Sequence, residues 1–159
     1  NATLLLRKSF EWAREARPTQ PLTSGVWLGD FGKPTEIMKV QLEQSDIISF
    51  HAYNDLPKTR ERVETLARYQ RPLFCTEYMA RPEGSTFQAI LPFFAGRKVA
   101  AYNWGFVDGK SQTIYPWDSW TKTYTGEPDP WFHDILRRDG SPYRDDEVKL
   151  IRSLAPGKP

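Results

Sequence analysis

The sequence reads Pro-Leu-Phe-Cys-Thr-Glu-Tyr at residues 72–78. This short, largely apolar run is typical of a buried strand, and it ends on a carboxylate, Glu77. A carboxylate beside a buried strand needs a polar partner, so Glu77 is the first candidate for a catalytic residue. From the residues alone, a purely structural ion pair with Arg81 or Arg97 is an equal alternative. Cys75 lies two residues earlier and is predicted to share the face of Glu77.

Three further strand-like runs surround this one, with helical patterns between them. Strands are predicted near 22–27, 46–51, 72–76 and 99–104, and helices over 4–16, 35–44, 58–69, 85–94, 131–137 and 145–154. Alternating strands and helices favour parallel βα units. We therefore predict an α/β fold of four parallel units, forming a single domain over residues 1–159.

Polar and aromatic side chains follow each predicted strand. The candidates for binding a ligand beside Glu77 are Trp27, His51, Tyr53, Asn54, Trp104 and, from the loop over 105–130, Trp117. Because the carboxyl ends of parallel strands meet at one edge, we expect one shared cleft. Each candidate also has a structural alternative: His51 as a satisfied strand-end imidazole, Asn54 as a turn or cap residue, and the aromatics as loop or core packing.

The composition favours a carbohydrate ligand over other classes. Aromatic residues make up 14% of the chain, including six Trp, and aromatic faces next to polar groups suit sugar rings. With 22 basic and 20 acidic residues scattered along the chain, a nucleic-acid or anionic membrane surface is not expected. One Cys and two distant His residues predict neither a disulfide framework nor a metal site, and no cofactor is expected.

Residues 72–78 resemble the seventh-strand nucleophile segment of the clan A retaining glycoside hydrolases, the (β/α)8 group of cellulases, mannanases and β-galactosidase-like enzymes. Asp-Ile-Ile-Ser-Phe-His-Ala-Tyr at 46–53 resembles their sixth strand, and Val-Ala-Ala-Tyr-Asn-Trp at 99–104 their eighth. Residues 21–27 would then be the fifth. The resemblance implies that Glu77 is the nucleophile, that Tyr53 contacts it, and that Trp104 lies beneath the sugar.

The chain departs from this family in its second carboxylate. The family's general acid/base is a Glu that follows an Asn at the end of the fourth strand, and no Asn-Glu pair occurs in this sequence. Retaining hydrolysis needs two carboxyl groups about 5–5.5 Å apart. The resemblance therefore implies half of a glycosidase site, with the acid/base absent from this chain.

Four units are also half of a (β/α)8 barrel, which typically needs about 250 residues. Open edges and an uncovered apolar face require a partner, so we expect a second chain to complete the barrel. It is either a second copy, forming a homodimer, or a complementary N-terminal half. In a two-fold dimer the two Glu77 side chains would lie farther apart than the retaining distance.

Three functions are compatible with these patterns. The first is a glycoside hydrolase-like half barrel acting on β-linked carbohydrate, which would be secreted or periplasmic if it belongs to a polysaccharide-degrading enzyme. The second is a non-catalytic, self-assembling scaffold or carbohydrate-binding protein. The third is an unrelated open α/β domain in which the strand-end Glu serves only the structure.

Overall fold

A computed structural model describes residues 1–155. Within that range the protein is an α/β fold with a three-stranded parallel sheet in the order β1-β2-β3 and five α-helices. The strands are β1 (Ile48–Ala52), β2 (Leu73–Tyr78) and β3 (Ala100–Asn103), and the helices are α1 (Ala2–Glu15), α2 (Glu36–Gln44), α3 (Leu56–Ala67), α4 (Phe87–Arg97) and α5 (Asp145–Leu154). The domain predicted over 1–159 extends beyond the described residues.

Side-chain caps set where the helices between the strands begin. The Thr35 side chain accepts a hydrogen bond from the Met38 amide at the start of α2. At the start of α4, the Thr86 side chain accepts one from the Ala89 amide. Asp55 accepts from the Lys58 amide, 3.3 Å away. Because this cap is followed by a proline in the first turn, α3 begins at Leu56, two residues before the predicted start.

The core lies between the sheet and the helices that cover one of its faces. Phe50 of β1 is fully buried and meets Phe94 of α4 edge to face, with ring centroids 6.3 Å apart. Tyr78 of β2 makes similar contacts with Phe87 and Phe94. These apolar contacts hold the helices against the strands and so keep the carboxyl ends of the strands in register.

The predicted strand at 22–27 is replaced by a single parallel bridge between Val26 and Phe50. Side chains explain why no longer ladder forms. The Leu22 amide donates to an Asp46 carboxylate oxygen at 2.8 Å, and the Ser24 amide donates to the Ser45 hydroxyl. These two amides are thus bound by side chains of the segment before β1 and not by strand carbonyl groups. Residues 1–155 form three strands instead of four.

The helix predicted over 131–137 is not formed either. The backbone there is irregular, because its carbonyl groups bind outside the segment. The Arg81 guanidinium donates to the carbonyl oxygens of Trp131 and Asp134, at 2.9 Å each, and the Arg81 amide donates to that of Phe132. Carbonyls engaged in this way do not accept the bonds of a helical turn.

The described residues include no helix that is both long and apolar enough to cross a membrane.

Candidate functional site

An irregularity in β2 decides where Glu77 points. Phe50 of β1 is paired with Cys75, but the next residue, His51, is paired with Glu77, so Thr76 is an extra residue in the ladder. Successive residues of β1 face opposite sides of the sheet, and their partners do the same. Cys75 therefore lies in the core, fully buried, whereas Glu77 is partly exposed on the other side. The prediction that the two share a face is wrong.

Two side chains from β1 and the residues after it hold the Glu77 carboxylate. The Tyr53 hydroxyl donates to Glu77 Oε2 at 2.8 Å, and His51 Nδ1 lies 3.1 Å from the same oxygen. Both contacts go to the same oxygen, Oε2. Two contacts to one oxygen restrict the orientation of the carboxylate.

The structural alternative for Glu77 can be checked directly. Arg81 forms a buried ion pair with Glu147, and Arg97 pairs with Glu64 on the surface. Neither arginine is paired with Glu77 in the part of the chain that the structure describes. Its partners are instead a hydroxyl and an imidazole, which are groups that orient a carboxylate without tying it into the fold.

A cavity of about 740 Å³ opens beside Glu77. Its wall includes every site residue predicted from the sequence: Trp27, His51, Tyr53, Asn54, Glu77, Trp104 and Trp117. The structure thus brings together residues that are up to 90 positions apart, as expected where parallel strands end at one edge. Their roles in binding or catalysis stay predictions. The volume falls in the range of small-molecule sites, about 300–1,000 Å³.

The cavity wall carries four tryptophans, which are Trp27, Trp104, Trp117 and Trp120. All are exposed to a substantial degree, from 38% for Trp117 to 85% for Trp120, so they are not core residues. Trp117 meets Tyr53 edge to face, with centroids 5.2 Å apart, and so it stands next to the oriented carboxylate. Exposed indole faces around one polar group form an amphipathic surface that can bind the apolar faces of sugar rings.

The protonation of the neighbouring groups suits a donor role for Tyr53. Burial, together with the hydrogen bond to Glu77, raises the pKa of Tyr53 well above its usual range. The phenol is therefore protonated at neutral pH and keeps donating to the carboxylate. Burial likewise raises the pKa of the Cys75 thiol, which argues against a nucleophilic role for this cysteine.

Sequence reasoning missed His133, which also lines the cavity. Its Nδ1 is 2.6 Å from the Met79 carbonyl oxygen, two residues beyond Glu77, while Nε2 is buried and has no hydrogen-bond partner among the described residues. Burial lowers the pKa of His133. No local pattern marks His133 as a site residue, because the prediction for residues 131–137 is a helix.

Gly105 allows residues His133 and Asp134 to approach the backbone that follows Trp104. The φ of Gly105 is +83°, in the left-handed region that favours glycine. A Cβ here would lie 2.6 Å from Asp134 Oδ1 and 2.8 Å from the His133 Cβ. Only glycine fits this close approach without displacement of the segment.

Glu77 is the one carboxylate in the wall of the cavity, as far as residues 1–155 are concerned. The same residues contain no group of three or more His, Cys, Asp and Glu side chains placed to hold a metal ion. The chemistry that the described wall can offer is thus one oriented carboxylate, the guanidinium of Arg62, hydroxyl, amide and imidazole groups, and aromatic faces.

No protein-family model matches the chain, and no curated protein matches it significantly. Among solved structures, an exo-beta-agarase is similar over 77% of this chain, with 18% sequence identity and a TM-score of 0.44. The chain spans 18% of the length of that agarase chain.

Proposed function

We propose that this chain binds β-linked carbohydrate in the tryptophan-lined cavity and carries the nucleophile of a retaining glycosidase, Glu77. The observation that supports this most is the Glu77 carboxylate itself, which accepts a 2.8 Å hydrogen bond from Tyr53 at the edge of a cavity lined by exposed indoles. A nucleophile needs an ionised, oriented carboxylate, and a sugar needs an aromatic surface beside it.

The chemical step follows from the contacts of the two carboxylate oxygens. Tyr53 and His51 both contact Oε2, so Oε1 attacks the anomeric carbon. The bond from that carbon to the leaving oxygen breaks, its electron pair departs with the leaving group, and a glycosyl ester of Glu77 forms. Hydrolysis of the ester by water regenerates the carboxylate and completes the retaining reaction.

Natural substrates also need an acid that protonates the leaving oxygen and later activates the water. The wall formed by residues 1–155 offers no second carboxylate for this role. We propose that it comes from a partner that completes a barrel, either a complementary N-terminal half or a second copy of the chain. The half barrel and its completion are part of the same proposal.

Activated substrates test the nucleophile separately from the missing acid. The 2,4-dinitrophenolate of a 2,4-dinitrophenyl β-glycoside leaves as a stable anion without protonation, and azide attacks a glycosyl ester without a general base. We expect the chain to release dinitrophenolate from at least one of the β-glucoside, galactoside, mannoside and xyloside, and azide to accelerate turnover by giving the β-glycosyl azide.

Glu77→Gln is the decisive variant, because it keeps the shape of the side chain and removes its nucleophilic charge. We expect it to abolish release while retaining sugar binding. Trp12→Ala is the matched control, since Trp12 is exposed on α1 and lies outside the cavity wall. Release that is equally fast with wild type and Glu77→Gln would contradict the proposal.

The single carboxylate of the described wall favours a second candidate, a non-catalytic carbohydrate-binding protein or scaffold. Under this alternative the cavity binds sugar, but no dinitrophenolate is released with or without azide. Glu77→Gln would then weaken sugar binding by no more than one charge-assisted hydrogen bond contributes, about 1.5–3 kcal/mol.

A further inference from the structure

A second concavity of about 650 Å³ adjoins the cavity beside Glu77. The two share Pro116 and Trp117, which line both. We call the cavity beside Glu77 the inner cavity and its neighbour the outer groove. The outer groove lies between the 3-10 turn Arg81–Glu83 on one side and the loop over 118–130 on the other.

The walls of the outer groove combine apolar and acidic side chains. Tyr124 and four prolines supply apolar surface, and Glu83, Asp118 and Asp129 supply carboxylates. Such carboxylates accept hydrogen bonds from hydroxyl groups, and aromatic and proline rings pack against apolar C–H faces. The outer groove therefore offers the same two kinds of contact that a sugar ring requires.

Trp117 stands where the two spaces meet. Its indole contacts Tyr53 of the inner cavity at 5.2 Å and Phe132 of the outer groove at 4.8 Å, both edge to face. These contacts fix the position of the ring, and 38% of the residue remains exposed. The indole is therefore available to a ligand that extends from one space into the other.

The loop that forms the outer wall is tied together by its own side chains. The Tyr124 hydroxyl donates to Asp118 Oδ1 at 2.6 Å, and the ring of Tyr124 packs on Tyr115, which lines the inner cavity. The outer groove is thus continuous with the inner cavity through Trp117 and through this pair of tyrosines. Ordered walls reduce the entropy cost of binding there.

We propose that the ligand of this site is an oligosaccharide chain, with one end beside Glu77 and the other crossing Trp117 into the outer groove. The inference rests on the proposed function and adds the substrate class, a chain of several sugars and not a single one. Trp117 is the platform between the two spaces, and Tyr124 and Glu83 are contacts for the sugars farthest from Glu77.

Binding measured against chain length tests this inference. We would titrate the protein calorimetrically with β-linked gluco-, manno-, xylo- and galacto-oligosaccharides from one to six units. For the series that binds, we expect Kd to fall by at least about tenfold between the monosaccharide and the longest member, a change of 1.4 kcal/mol.

Variants of the two walls locate the additional contacts. Tyr124→Ala and Glu83→Ala alter different segments of the outer groove. Each should raise the Kd of the longest oligosaccharide several-fold and leave the Kd of the monosaccharide unchanged. Tyr124→Phe, which keeps the ring, should retain most of the length dependence. Trp117→Ala should weaken the binding of oligosaccharides of every length, and the control Trp12→Ala should leave the binding of all of them unchanged.

The outcomes separate this inference from the proposed function. If the sugars bind with a Kd that does not depend on length, the oligosaccharide inference is overturned while the proposed function stands. The same holds if the length dependence survives both Tyr124→Ala and Glu83→Ala. If no sugar of any length binds, both fail.

Discussion

Glu147→Gln is expected to destabilise the protein strongly, because Glu147 neutralises a buried arginine. Arg81 donates two bonds to the Glu147 carboxylate, from Nε at 2.9 Å and from Nη2 at 2.6 Å. The two side chains are only 2% and 1% exposed. The same guanidinium binds the carbonyl oxygens of Trp131 and Asp134, and so it joins α5 to the segment that carries His133.

The magnitude follows from the burial of this pair. Glutamine preserves the shape of the side chain but leaves the Arg81 charge without its counter-charge in a site that excludes water. Removing one partner of a buried ion pair costs about 3–5 kcal/mol. At about 2–4 °C for each kcal/mol in a chain of this size, Tm should fall by roughly 6–20 °C.

Urea unfolding followed by tryptophan fluorescence measures the change in the free energy of unfolding. The matched control is Glu64→Gln, which breaks an exposed pair with Arg97 at 3.4 Å, where both side chains are half exposed. Exposed pairs contribute about 0–1 kcal/mol, so the control should change stability little. The double variant Arg81→Met/Glu147→Leu, which removes both charges, should be more stable than Glu147→Gln. If Glu147→Gln costs no more than Glu64→Gln, the reasoning is refuted.

Three further outcomes are expected. Tyr53→Phe removes a hydrogen bond to a carboxylate, worth about 1.5–3 kcal/mol, and should slow dinitrophenolate release about tenfold or more; an unchanged rate would contradict the role of the hydroxyl. Gly105→Ala places a Cβ 2.6 Å from Asp134 Oδ1 at a φ of +83° and should lower both Tm and sugar affinity. The control Gly126→Ala, whose Cβ would meet no atom within 4 Å, should change neither. Equal effects of the two variants would contradict the packing argument. Burial raises the pKa of Cys75, so stability contributed by the neutral thiol is present below its unfolded pKa and is lost as pH rises above it. Iodoacetamide at pH 8 should therefore modify Cys75 in urea but not in the folded protein, and rapid native labelling would disprove the burial.

The positions of the inner-cavity residues could be predicted because they depend on a simple rule of topology. Parallel strands end at the same edge, so residues in the last positions of β1, β2 and β3 or directly after them must converge there. His51, Tyr53, Glu77 and Trp104 all meet this condition. Apolar runs of five or six residues are enough to locate such strand ends to within two or three positions.

Other features depend on contacts between distant residues, which local patterns do not contain. The extra residue Thr76 turns Glu77 away from the face of Cys75, yet the sequence there reads as an ordinary strand. The segment over 131–134 has helical periodicity, but Arg81, about 50 positions earlier, binds its carbonyl groups. His133 was missed for the same reason, because its place in the cavity wall follows from that tertiary contact and not from its neighbours.

The central claim is that Glu77 forms a covalent bond to a sugar in the inner cavity. The most direct measurement is peptide mass spectrometry after incubation with 2,4-dinitrophenyl 2-deoxy-2-fluoro-β-glycosides, in which fluorine slows hydrolysis of the glycosyl ester. We predict one added fluorosugar per chain, located on Glu77 and absent from Glu77→Gln. A protein that binds the sugar but carries no label, or carries it on another residue, would contradict the claim.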